Sequence, residues 1–234
     1  MPTLVQTDIA EMPGADTLSE RAASLVERDI IAGLHAPGAR LGIVDLARRY
    51  EIGATPLREG LSRLVSRGLI VGIGQRGFRV ADISREDLLD ITRMRTVVEI
   101  EALRLAMAQG DDAWEAGILS ALHQMRRHIQ RTGNEFREGA PDFDRLHKAF
   151  HTSLLAACGS KRLLTAHSDL YDQAYRYRRV MMRGFDSGKK FVAAHQSLAD
   201  VVLARDVKDA PAMLEAHLHS TLDFVYPPAK GDRS

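Results

Sequence analysis

His147 and His151 stand four residues apart in a chain of 234, and on an α-helix that interval stacks two side chains on one face. Two imidazoles so placed have the spacing of metal ligands, although the same interval also occurs on ordinary solvated helix faces. Asp144 lies one turn earlier on the same face. His195 and His217 fall on two consecutive helical stretches joined by a short turn, so an antiparallel hairpin brings them to similar heights. Three helices can thereby converge on one ion. Clustered histidines with Asp144 would also suit metal-assisted hydrolysis, but nothing nearby supplies an evident general base.

The elements that must carry these histidines are helices. Beyond Asp82 the chain turns to long amphipathic stretches bounded by capping or breaking residues, which predict helices near 85–109, 112–131, 142–158, 161–183, 189–206 and 210–226. Ser84 with Asp87 resembles a capping box, Gly110, Gly133 and Gly159 sit at expected C-termini, and Pro227-Pro228 closes the last helix. Residues 85–228 therefore read as an all-helical domain.

The first third has a different grammar. Residues 1–16 lack sustained periodicity and are expected to form a flexible tail. Thr17-Leu-Ser-Glu20 has the S/T-x-x-E form that opens a helix, predicted over 18–33. Pro37-Gly38 forces a turn, a short helix follows at 44–50, and Gly53-Ala-Thr-Pro56 feeds a third helix that ends at Arg67, with Thr55 as its expected cap. Two β-prone runs, Leu69-Ile-Val71 and Phe78-Arg-Val80, flank a glycine-rich turn in the manner of a hairpin. Three helices and a hairpin make a winged helix-turn-helix over 17–81, and the fold class is mainly α.

Composition agrees with this division. The chain is 45% hydrophobic and 27% charged, values of an ordinary globular protein, and it has no apolar run near the roughly 20 residues needed to span a bilayer. A cytoplasmic protein without a membrane partner is expected. The one cysteine, Cys158, is read as a small buried apolar residue. The net charge of +1 hides an asymmetry: residues 17–81 hold ten arginines, no lysine and six acids, whereas residues 82–234 hold 22 bases and 22 acids. Excess arginine thus coincides with the helix, turn and wing that would use it on double-stranded DNA. Arg58, at the start of the third helix, can fork onto guanine or clamp a phosphate, and Thr55 can donate to a phosphate beside it. Arg48, Arg49, Arg63 and Arg67 flank that helix, while Arg76 and Arg79 lie on the wing, where Gly77 lets the backbone come close to a groove.

Residues 17–81 resemble the DNA-binding domain of the GntR superfamily, through Ile31-Ala-Gly-Leu-His-Ala-Pro-Gly-Ala-Arg-Leu41, Thr55-Pro-Leu-Arg-Glu-Gly-Leu-Ser-Arg-Leu64 and Arg76-Gly-Phe-Arg-Val80. The helical half is similar to the FadR-type C-terminal domain, so the resemblance covers about 210 residues and implies effector binding and dimerisation for residues 85–228. His147-Lys-Ala-Phe-His151, Leu154-Leu-Ala-Ala-Cys-Gly-Ser160 and Tyr175-Arg-Tyr-Arg178 look most like a subgroup that includes a carbon-starvation regulator. Gly53 and Ala54 replace a serine or threonine and an arginine customary ahead of the Thr-Pro pair, and Val44 stands where some relatives place an arginine. The operator sequence therefore does not transfer.

The resemblance also implies a ligand set of one aspartate, a histidine four residues later, and one histidine on each of the last two helices. His151, His195 and His217 match, while His147 occupies the aspartate position, leaving His147 or Asp144 as the fourth ligand. More imidazole and less carboxylate suits zinc or nickel. His123, His128, His167 and His219 have no such match and are expected at the surface or partly buried. An effector pocket is expected around Arg95, at a position where relatives carry an arginine facing the cavity, with an i,i+4 ion pair to Glu99 as the alternative. Arg176, Arg178 and Tyr175 would add anion and hydroxyl recognition, or else belong to the core. The implied protein is a homodimeric repressor of a catabolic operon, released by a small organic acid such as a dicarboxylate. A metal sensor with no organic effector and a metal-dependent hydrolase are the alternatives.

Overall fold

A computed structural model describes residues 17–133, 141–182 and 188–227. The expected tail of residues 1–16 and Pro228 lie outside them. The chain opens with α1 (Leu18–Ile31), a strand β1 (Arg40–Leu41), α2 (Ile43–Tyr50) and α3 (Ala54–Ser66), then β2 (Ile70–Gly72) and β3 (Phe78–Val80). Thr17 caps α1 by accepting from the Glu20 amide at 3.2 Å, and the Glu20 carboxylate reaches back to accept from the Thr17 hydroxyl and from its backbone N–H. The expected capping box therefore forms. α3 begins two residues earlier than predicted, at Ala54, with Gly53 as N-cap and no side-chain cap bond. Thr55 therefore sits inside the first turn and does not cap.

The predicted hairpin is one part of a three-stranded antiparallel sheet ordered β1-β3-β2. Leu41 faces Phe78 on one side of β3, and Gly72 faces the same Phe78 on the other. A two-residue strand is too short to show periodicity, which is why it escaped the sequence. Gly77 closes the wing at φ 94°, a conformation that disfavours any side chain. Leu57, Leu61 and Leu64 of α3, with Val26, Leu69 and Val80, form a core with essentially no exposed surface.

Six helices follow: α4 (Arg85–Gln109), α5 (Asp112–Thr132), α6 (Pro141–Leu155), α7 (Lys161–Met182), α8 (Gly188–Leu203) and α9 (Asp209–Val225). Ser84 and Asp111 cap α4 and α5, accepting from the amides of Asp87 and Trp114. α4 packs on α6, α7 and α9, and α5 on α6 and α8, around Ile118, Met125, Phe143, Phe150, Leu198 and Leu214. Cys158 is buried as expected. α6 stops at Leu155, three residues short of prediction. The mainly helical class and the winged helix-turn-helix ahead of a helical bundle are both observed. No helix among the described residues is long and apolar enough to cross a membrane.

α1 and α3 make the closest helix contact of the first domain, and Gly60 permits it. A Cβ there would stand 2.7 Å from the Ser19 carbonyl oxygen and 2.8 Å from the Ala23 nitrogen, both backbone atoms that cannot swing aside. Gly60→Ala is expected to destabilise the DNA-reading domain by about 1–3 kcal/mol through overpacking, despite alanine's better helix propensity. A lowered urea midpoint for that domain checks it, and an unchanged midpoint would show that the two helices can separate freely.

Candidate functional site

α6, α8 and α9 bring His147, His151, His195 and His217 together, one nitrogen from each lying within 4.8 Å of all the others. His147 is central: its Nε2 is 3.0 Å from Nε2 of His195 and 3.0 Å from Nε2 of His151. Asp144 is half-buried and outside the set, so of the two expected alternatives it is His147 that the fold brings beside the other three histidines. Phe143, Phe150, Phe191 and Tyr171 pack their rings around the cluster, which keeps it in a low-dielectric setting.

That setting fixes the charge. Burial pushes His147, His151 and His217 well below the ordinary histidine range and His195 to about 3. All four rings are therefore neutral near pH 7 and each keeps one lone pair. For His195 the lone pair is located: its Nδ1 lies 2.8 Å from the Phe191 carbonyl oxygen, which can only accept, so Nδ1 carries the proton and Nε2 faces the other rings. A backbone carbonyl orienting one ring nitrogen while the other points inward is the arrangement of metal-binding histidines. Nitrogens about 2.0–2.1 Å from a shared ion lie about 3.0–3.4 Å apart when adjacent, and the observed 3.0 Å separations fit.

The cavity at the cluster measures about 30 Å³ and is lined by the four histidines with Arg95, Arg178, Phe191 and Thr221 among others. That is room for one ion or water. Arg95 donates from Nε to Glu99 at 2.6 Å, so the expected ion pair and the expected place at the cavity both hold. Burial alone would raise the Glu99 carboxyl, but the Arg95 guanidinium and His167 outweigh it and hold it at about 2. Arg178 stacks 3.9 Å over the Tyr171 ring. A larger hollow of about 370 Å³ on α5 and α6, lined by Arg127, Arg131 and Arg145 with His123 and His128, shares no residue with this cavity.

Two expected effector contacts lie elsewhere. Arg176 donates to the carbonyls of Ala81 and Asp82 at 2.8 and 3.0 Å, clamping the segment between the domains. Residues two apart on a helix do not share a face, so Arg176 and Arg178 point different ways. Tyr175 is buried beneath Arg178 and does not line the cavity. His167, expected near the surface, is fully buried with Nδ1 3.2 Å from Glu99. The Arg95–Glu99 spacing hinted at a buried carboxylate, but nothing in the sequence pointed to His167 as its partner.

On the DNA-reading face, Thr55, Arg58, Arg48 and Arg76 are exposed. Arg58 enters none of the ion pairs among the described residues, and Arg48 only a 4.0 Å approach to Asp45. Arg63 pairs with Glu20 at 3.0 Å, an exposed bridge worth little and easily exchanged for a phosphate. Arg49 is more committed: it joins the Tyr50 hydroxyl in neutralising the buried Asp29.

Residues 18–80 match the family of bacterial regulatory proteins named gntR, and residues 90–220 match the FCD domain. The chain belongs to the GntR family, with an FCD effector domain. It is 35% identical over 204 residues to the HTH-type transcriptional repressor GlaR of Escherichia coli K12, covering 86% of this chain and 92% of that one. It is 33% identical to the transcriptional regulator BphR of Paraburkholderia xenovorans LB400, covering 93% and 90%. Escherichia coli McbR/YncC has the same fold, with a TM-score of 0.75 at 19% identity over 90% of this chain and 97% of its own. This GntR-family protein is a DNA-binding transcription regulator and not an enzyme, and FCD domains commonly bind metal. Arg58→Ala is expected to weaken operator binding by about 1–3 kcal/mol with the thermal midpoint unchanged. Undiminished affinity in an anisotropy titration would misplace the reading helix.

Proposed function

We propose that this regulator is a homodimeric repressor of a catabolic operon, released when a small organic acid, a dicarboxylate, binds at a zinc or nickel ion held by His147, His151, His195 and His217. The observation that carries the reading is the set of four neutral, mutually facing imidazoles with two guanidinium groups, Arg95 and Arg178, at the same cavity. Neutral ligands leave the full dipositive charge of an ion in place, and beside two arginines that charge favours an anion. The ion supplies a Lewis-acidic anchor for a carboxylate oxygen. Arg178 supports recognition of a second carboxylate, while Arg95 is already paired with Glu99 and acts with part of its charge offset.

A cavity of about 30 Å³ lies far below the roughly 300–1,000 Å³ of ordinary ligand sites. A dicarboxylate would therefore enter only with rearrangement of the lining residues, among them Arg178, which stacks on Tyr171. The same small volume favours, as a second reading, a metal sensor without an organic effector. A dimer fits the operator logic, because paired turned helices read half-sites about one helical turn apart.

The deciding experiment is anisotropy of the purified protein on its own upstream DNA across a salt series, with metal analysis of the same sample and a panel of C4 to C6 dicarboxylates. Salt should weaken binding with a log–log slope of roughly −0.9 per phosphate neutralised, and one acid should lower affinity by about tenfold or more, near 1.4 kcal/mol of coupling. Affinity that follows metal loading and ignores every acid would instead establish the sensor. His151→Ala and His217→Ala should each purify without the ion, and retention in both variants would remove the site.

A further inference from the structure

Arg67 follows the last residue of α3, the second helix of the helix-turn-helix, and is held by the effector domain twice over. Its carbonyl accepts from Gln173 Nε2 at 2.8 Å. Its guanidinium donates to Asp169 at 2.8 Å and Asp172 at 2.9 Å, both on α7, while a third nitrogen returns to Glu27 of α1 at 2.6 Å. Asp172 is almost fully buried, and its other partner comes from the opposite direction. Lys148 donates to both of its carboxylate oxygens at 2.7 Å, and Lys148 is the residue after His147 on α6.

We infer that Asp172 is a positioning residue for operator recognition, a buried carboxylate that ties the histidine-bearing helix α6 to the C-terminal end of the DNA-reading helix through Lys148 and Arg67. Its link to the effector rests on the metal-pocket reading above. The reasoning is geometric. A shift of α6 at His147 carries Lys148 with it, because adjacent residues of one helix move together. Hydrogen bonds of 2.7–2.9 Å weaken within a few tenths of an ångström, so the buried Asp172 carboxylate must follow one cation or stretch away from the other. Thr55 and Arg58 lie on the far side of α3 from Arg67, about 14–18 Å along the axis at 1.5 Å per residue. A small tilt about the held end therefore displaces the reading end. None of Lys148, Asp172 or Arg67 is a ligand of the cluster or needs to touch DNA for this.

The test is operator affinity of the full chain by anisotropy for Asp172→Asn, Asp172→Glu, Lys148→Met and the double variant Lys148→Met/Asp172→Asn. Asp172→Asn should weaken binding roughly tenfold with an unchanged salt slope, since no phosphate contact is removed, and Asp172→Glu should recover most of the loss. Lys148→Met should weaken binding by about three- to tenfold alone and by under about twofold in the Asp172→Asn background, the non-additivity of residues acting through one group. Asp172→Asn binding within about twofold of the unaltered protein overturns the inference, as does an equal Lys148→Met effect in both backgrounds. Should Asp172→Asn fail to fold, Lys148→Met, which leaves the Arg67–Asp172 pair in place, decides alone: unaltered affinity overturns the inference. Metal content and acid response of the unaltered protein are read on the same samples. If both are absent while the Asp172 pattern holds, the pocket reading falls and the positioning role stands.

Discussion

A charge removed from water must be neutralised where it lies, and that constraint organises this molecule from end to end. In the DNA-reading domain, Asp29 is buried against Arg49, Arg28 and the Tyr50 hydroxyl, which join α1 to α2. In the effector domain, Glu99 is buried between Arg95 and His167, joining α4 to α7. Between the domains, Asp172 sits under Arg67 and Lys148. Each carboxylate recruits partners from two or more elements, so none of those elements can be displaced without leaving a charge exposed to an apolar interior.

The histidine cluster obeys the same rule by the opposite route. It contains no carboxylate, and its four rings escape the cost of burial by staying neutral, with their apolar surfaces packed on phenylalanine and tyrosine. The consequence is a set of four lone-pair donors with no carboxylate among them, at a cavity also lined by Arg178 and by Arg95, which is paired with Glu99.

α7 joins these two economies. Asp169, Asp172, Gln173 and Arg176 hold the DNA-reading domain and the segment that follows it, while Tyr171 and Arg178 face the histidines. One helix thus presents one face to the operator-binding half and another to the cavity.

The amino-acid sequence by itself determined what is decided within a turn or two of chain: six helices after Asp82, the caps at Thr17 and Ser84, the winged helix-turn-helix with its arginine excess, and the four-residue interval that sets His147 beside His151. Tertiary structure decided everything that depends on how helices cross. It chose His147 over Asp144, turned Arg176 away from Arg178, buried His167 against Glu99 and added β1 to the wing. It also joined Arg67 to Asp172 across 105 positions. The physical reason is range: helical periodicity repeats every few residues and can be read locally. Contacts between distant residues follow from packing angles, which the spacing of side chains along one helix does not contain.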